Sequence, residues 1–187
     1  MMVNLKMLIT QFIGVFLLFA LALFLPAGAI TWSAGWSFLG LFFGFMLALN
    51  VWLLRHNPGL LQERMRRSAD NQQGWDKVLF PLMFVLFLIW LSIMGLDAVR
   101  LHWSHVPLWL QVVGGLILLG SFYLLFLTFR ENSYLSPVVR IQEERGHTVV
   151  STGPYHYVRH PMYAAMVVFV VGTSLLLGSW YGLLIGL

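Results

Sequence analysis

Apolar runs of bilayer length constrain this chain more than anything else in it. Five of them, at 7–25, 33–54, 78–96, 108–129 and 162–187, are separated by short polar stretches. A helix needs roughly 20 residues to cross a hydrocarbon core about 30 Å thick, and each run is of that order. Charged residues make up 10% of the chain, against about 25% in soluble domains, so it cannot cover itself with polar surface. The fold class that follows is all-α: one membrane-embedded domain over residues 1–187, polytopic, with about five transmembrane helices.

The first run has a competing reading as a signal peptide, because Lys6 precedes it and Ala27-Gly28-Ala29 resembles a cleavage site. A signal core is about 7–15 residues long, and this run is longer, which favours a retained span. Trp32 and Trp36 suit interface anchors at the start of the second run. The polar stretch 55–77 carries Leu60-Leu61 and Met65 among its charges. It reads equally as an amphipathic segment lying on the membrane and as a solvated loop. Asp97, Arg100, His102 and His105 form a short connector before Pro107; with no further ligand near in sequence, its two histidines suit an interfacial loop better than a metal site. Gly114-Gly115 and Gly120 are candidate close-packing points in the fourth run. The last run holds Gly172, Thr173, Ser174, Gly178 and Ser179, and fits either one tilted span or a helix that breaks and turns back.

Charge sets the expected orientation. With the N-terminus in the cytoplasm and one crossing per run, Lys6, Arg55, Arg64, Arg66, Arg67, Lys77, Arg130, Arg140, Arg145 and Arg159 fall inside. Only Arg100 falls outside, as the positive-inside rule requires. The polar loops 55–77 and 130–161 are then cytoplasmic. The net charge of +4 is accounted for by this topology, so no nucleic-acid partner is expected. Cysteine is absent, which removes disulfides and thiolate chemistry.

Polar, aromatic and turn-forming residues crowd together in one place, residues 147–163. Gly153-Pro154 signals a turn, and Pro161 opens the last apolar run as a proline suits the first turn of a helix. Arg159 is a permanent cation fit for a carboxylate or phosphate. A helix start after Pro161 favours an anion as well. Tyr155, Tyr157 and Tyr163 offer ring faces, and His147, His156 and His160 can donate, accept or move protons near neutral pH. Tyrosines are also common interface residues and Arg159 alone would serve as a topology anchor. Their concentration within so few residues favours a ligand site.

Gly153-Pro154-Tyr155 followed by Val158-Arg159-His160-Pro161 and Tyr163 resembles the signature of the isoprenylcysteine carboxyl methyltransferase family, within the phospholipid methyltransferase superfamily. The likeness extends upstream through Asn57-Pro58-Gly59-Leu60-Leu61-Gln62-Glu63-Arg64, Trp75-Asp76-Lys77 and Val139-Arg140-Ile141-Gln142 with Arg145-Gly146-His147. It covers most of the chain from about residue 55 and is nearest to the prokaryotic members. The resemblance implies an S-adenosylmethionine-dependent methyltransferase in the bacterial inner membrane, with a cytoplasm-facing cofactor pocket and a lipophilic carboxylate or amine as acceptor. Carried over by motif, His147, Gly153, Pro154, Tyr155, His160 and Tyr163 contact the cofactor. Arg159 and His160 are the catalytic candidates, Arg159 holding an anionic group or positioning the substrate. No metal is implied. Besides the cofactor, the partners implied are a lipophilic substrate and membrane lipids.

Members of the family continue after this run with a segment bearing an arginine and paired acidic residues that helps close the pocket. The sequence ends at Leu187, so a chain lacking that segment is the expectation, and a non-catalytic membrane scaffold is one alternative. A sterol-reductase-like enzyme using NADPH is another, because such enzymes carry a similar His-Pro-x-Tyr element. Ion-coupled transport is disfavoured by runs almost free of ionisable residues.

Overall fold

The structure, a computed structural model, describes residues 4–65, 75–132, 135 and 150–187. In chain order the helices are α1 (Leu5–Ala27), α2 (Ser33–His56), α3 (Pro58–Met65), α4 (Asp76–Gly95), α5 (Leu108–Glu131), α6 (Pro161–Leu177) and α7 (Trp180–Gly186). A π-helical turn, Leu96–Arg100, continues α4, and a 3-10 turn, Gly153–His156, precedes α6. Among the described residues there is no strand. Helices α1, α2, α4 with its π turn, and α5 are long and apolar enough to cross a membrane.

The last apolar run does not form a fifth span of that length. Its first helix, α6, has 17 residues, about 25 Å at 1.5 Å per residue, and it stops at Gly178, whose φ of 80° is the left-handed form that ends helices. Ser179 then caps α7, its Oγ accepting from Gly182 N at 2.8 Å. The short helix turns back along α6, so that Gly186 stands against Val170 and Trp90. Trp90 Nε1 donates to the Gly182 carbonyl at 2.7 Å and ties α7 to α4.

Packing is driven by small residues and aromatic rings. Gly114 of α5 lies against the backbone of Leu175 and Leu176, and Gly172 of α6 against that of Leu118. Lipid tails are as apolar as leucine, so membrane helices associate through such close backbone approach. The first glycine of the pair 114–115 makes this contact; at Gly120 a side chain would meet open space. Phe19, Phe38, Phe43, Phe122 and Phe169 form the buried aromatic centre between α1, α2, α5 and α6.

Two polar stretches differ from the sequence expectation. Asp97 does not lie in an interfacial loop with the rest of the short connector: the π turn carries it into the bundle at 0% exposure. Ser104 Oγ and Ser179 Oγ donate to its Oδ2 at 2.6 and 2.5 Å, which stabilises the buried group. Within 55–77, residues 58–65 form α3, started by Asn57, whose Oδ1 accepts from Leu60 N at 3.1 Å, with Pro58 in the first turn. Leu60 and Leu61 are buried against Leu49, Leu53 and Phe129, so α3 is packed into the protein through this face rather than onto lipid.

The bundle therefore has two unlike ends. The ends of α2 and α5, the whole of α3 and the start of α6 gather at one, with Lys6, Arg55, Arg64, Lys77, Arg130 and Arg159. The π turn, the 101–107 connector, Trp32 and the α6–α7 break gather at the other, with Arg100.

Candidate functional site

The basic end holds a cleft lined by Leu135, Tyr155, Arg159, His160, Pro161, Met162 and Tyr163. Its shape follows from how the end of α5 holds the segment that leads into α6. Gly153 has φ 57°, and a β-carbon there would come within 2.5 Å of Glu131 Cγ. Only glycine fits both that backbone and that approach. Glu131 is held on both oxygens: Oε2 accepts from Thr152 Oγ1 at 2.9 Å, and Oε1 from Arg130 Nη2 at 3.2 Å. Next to it, Asn132 Nδ2 donates to the Tyr155 hydroxyl at 2.9 Å. Pro154 is buried, and its carbonyl accepts from Tyr157 N and Val158 N, closing the 3-10 turn. The segment is thus fixed by three consecutive residues, Arg130 to Asn132.

From that turn the chain enters α6 through His160, whose backbone is outside the helical region (φ −129°, ψ 68°). Its carbonyl accepts from Tyr163 N and Ala164 N at 3.1 and 3.2 Å. Those two N–H groups are consumed and Pro161 has none, which leaves the Arg159 guanidinium, with the Met162 N–H, as the anion-binding elements here. Among the described residues it makes no ion pair. His160 and Tyr163 are stacked, with ring centroids 5.4 Å apart and planes at 29°, and Tyr163 is 64% exposed. An unpaired cation and an open aromatic face in one cleft suit a ligand with an anionic group and a planar or cationic part.

Arg64 of α3 holds Leu135, which lines the cleft. Its Nη1 donates to the Leu135 carbonyl at 3.3 Å, and its guanidinium lies 4.6 Å from the centroid of Phe129. Burial among the surrounding residues lowers the pKa of its guanidinium to about 10, so it stays charged at neutral pH.

The structure thus brings Tyr155, Arg159, His160 and Tyr163 to one cleft. Gly153 and Pro154 shape the turn behind it and do not line it. His147 lies outside the described residues. Tyr157 points outward at 85% exposure and is stacked edge-on with His156. Sequence reasoning missed Glu131, Asn132 and Arg64 as supports. A signal was present for the first two, since Arg130-Glu131-Asn132 is an abrupt polar triplet closing an apolar helix. The cleft has a volume of ≈110 Å³, less than the roughly 300 Å³ at which small-molecule pockets begin. A larger cavity of ≈380 Å³ lies at the opposite end of the bundle.

These features define a polytopic helical membrane protein with an aromatic-cationic cleft at its basic end. Residues 109–187 match the phospholipid methyltransferase family. Over 71 residues the chain is 30% identical to the Protein-S-isoprenylcysteine O-methyltransferase of Schizosaccharomyces pombe (strain 972 / ATCC 24843), a match covering 38% of this chain and 30% of that relative. Through this C-terminal part the chain is similar to the phospholipid methyltransferase family and to an isoprenylcysteine methyltransferase, and it spans less than a third of that relative's length. No solved structure matches it.

Proposed function

We propose that this chain binds S-adenosylmethionine in the basic-end cleft and takes part in methyl transfer to a lipophilic carboxylate or amine at the cytoplasmic face of a bacterial inner membrane. The observation that carries the reading is Arg159, without an ionic partner among the described residues, beside the stacked and open His160–Tyr163 pair. Both lie in the part of the chain that matches the family.

The residues present fit the cofactor. Its methionine carboxylate needs a cation, which Arg159 supplies. Its adenine and its sulfonium each suit an aromatic face, which Tyr163 offers. Tyr155, anchored by Asn132, gives a fixed wall, and Gly153 allows the turn to lie close to α5. The cleft is smaller than the whole cofactor, so this set holds one part of it, and His147 is proposed to add a contact. The cofactor when bound supplies an electrophilic methyl group on sulfur.

For the chain's residues the task is alignment, since an in-line displacement gains chiefly from holding the reacting groups in place. The His160 imidazole can take a proton from an amine acceptor near neutral pH. The positive charge of Lys6, Arg55, Arg64, Lys77, Arg130 and Arg159 at one end supports a cytoplasmic cleft. The test is a labelled-methyl transfer assay from S-adenosylmethionine to membrane lipid extracts, with a parallel NADPH titration. Saturable NADPH binding without methyl transfer or adenosylmethionine binding would overturn the proposal.

A further inference from the structure

The cavity of ≈380 Å³ at the opposite end lies far from the signature, and its size falls within the usual range for small ligands. Trp32, Ala98, His102, Ser104, His105 and Gln111 wall it, together with the Leu177–Gly178 end of α6. The rings of Trp103 and Tyr181, 5.7 Å apart, are exposed beside it, as aromatic side chains are at membrane interfaces. His102 has φ 52°, a left-handed backbone in a residue that is not glycine. Such strain concentrates at ligand sites.

The cavity offers open acceptors. Gln111 Nε2 donates one of its two N–H groups to the Val106 carbonyl at 3.0 Å, which holds the amide with Oε1 open to accept. Ser104 Oγ accepts from Trp180 N at 3.0 Å and donates to Asp97 Oδ2, so it offers nothing more as a donor. Ser179 Oγ likewise accepts from Gly182 N and donates to the same Oδ2. Both hydroxyl protons therefore go to one carboxylate oxygen, and Asp97 Oδ1 is fully buried with no hydrogen-bond partner among the described residues. His102 and His105, which make no hydrogen bond among the described residues, each add one acceptor nitrogen when neutral. The C-terminal end of α6 contributes a negative dipole end at Gly178, and Trp32 contributes a ring that attracts cations.

We infer that this cavity is a second ligand site, distinct from the methyl-transfer cleft, that takes an organic ammonium group. The carboxylate of Asp97 lies one hydroxyl behind the wall and sets the sign of the field. Gln111 Oε1 and a neutral imidazole accept from the ammonium N–H groups, and Trp32 packs on its methylenes. The same ammonium comes from two sources, the headgroup of a lipid in the facing leaflet or a free small amine.

The test uses the full chain purified in detergent. Ethanolamine, a short-chain phosphatidylethanolamine and a short-chain phosphatidylglycerol are titrated separately, with saturable binding read by thermophoresis. Binding of both amines with rejection of phosphatidylglycerol supports the site and a free-amine source. Binding of phosphatidylethanolamine alone supports the site and a lipid source. Gln111→Leu and, independently, Trp32→Leu are each expected to weaken amine binding at least tenfold, while Gly120→Ala, where a β-carbon meets nothing within 4 Å, leaves it unchanged. Two results overturn the inference: no saturable binding of either amine, or equal binding of phosphatidylglycerol. The discrimination between headgroups is measured on the unmodified chain, so it stands even if a cavity variant fails to fold.

Discussion

Glu131 fills the space that a side chain at residue 153 would need: a β-carbon on Gly153 would lie 2.5 Å from Glu131 Cγ and 2.8 Å from its Cδ. The end of α5 and the turn before α6 are therefore in contact through the absence of a side chain. Gly153→Ala is expected to lose about 1–2 kcal/mol from the left-handed backbone alone, with the steric overlap in addition. Thermal unfolding in detergent measures this. Glu131→Ala in the same chain should recover the steric part and leave the backbone part.

The bond from Asn132 Nδ2 to the Tyr155 hydroxyl predicts energetic coupling. In a double-mutant cycle of Asn132→Ala and Tyr155→Phe, the coupling energy should be about 0.5–1.5 kcal/mol, the net contribution of one hydrogen bond. A coupling of zero would show that the bond does not form in the membrane-embedded protein.

Asp97 is buried and accepts from two serine hydroxyls, so removing it strands both. Asp97→Leu should cost at least about 2 kcal/mol, since each buried unsatisfied group costs about 1–3 kcal/mol. Asp97→Asn keeps an acceptor for the serines and should cost less. Unfolding midpoints for the two variants, ranked in that order, check the network; equal midpoints would argue against it.

At Gly114 and Gly172 the contact is with backbone, which cannot move aside as a side-chain tip can. An added β-carbon at Gly114 would be 2.5 Å from Leu176 N, and at Gly172 2.6 Å from Leu118 N. Gly172→Ala and Gly114→Ala should each destabilise by about 1–3 kcal/mol, as overpacking does. At Gly120 nothing lies within 4 Å, so Gly120→Ala serves as the neutral control.

What was legible in the sequence followed from local composition. The four long helices could be read because about 20 apolar residues in a row leave few other structures open. The Gly153–Tyr163 cluster could be read because turn residues, a cation and rings adjoin in the chain. What depended on distant partners could not be read. Asp97 read as part of an interfacial connector with Arg100, His102 and His105, since Ser179, its hydrogen-bond partner in the bundle, is 82 residues away. Leu60 and Leu61 fitted a membrane-surface segment and a solvated loop equally well because their partner Phe129 is on another helix. The break at Gly178 was one of several small-residue positions in its run, and only its left-handed φ distinguishes it.

The basic-end cleft is proposed to hold S-adenosylmethionine through Arg159, His160, Tyr163 and the anchored Tyr155. Calorimetric titration of S-adenosylmethionine into the full chain tests it most directly, with Tyr155→Ala and His160→Ala measured beside the unmodified protein at equal expression and membrane insertion. Saturable binding, weakened about tenfold or more by each substitution, is the predicted result. Binding that is unchanged in both variants, or absent from the unmodified chain, would contradict it.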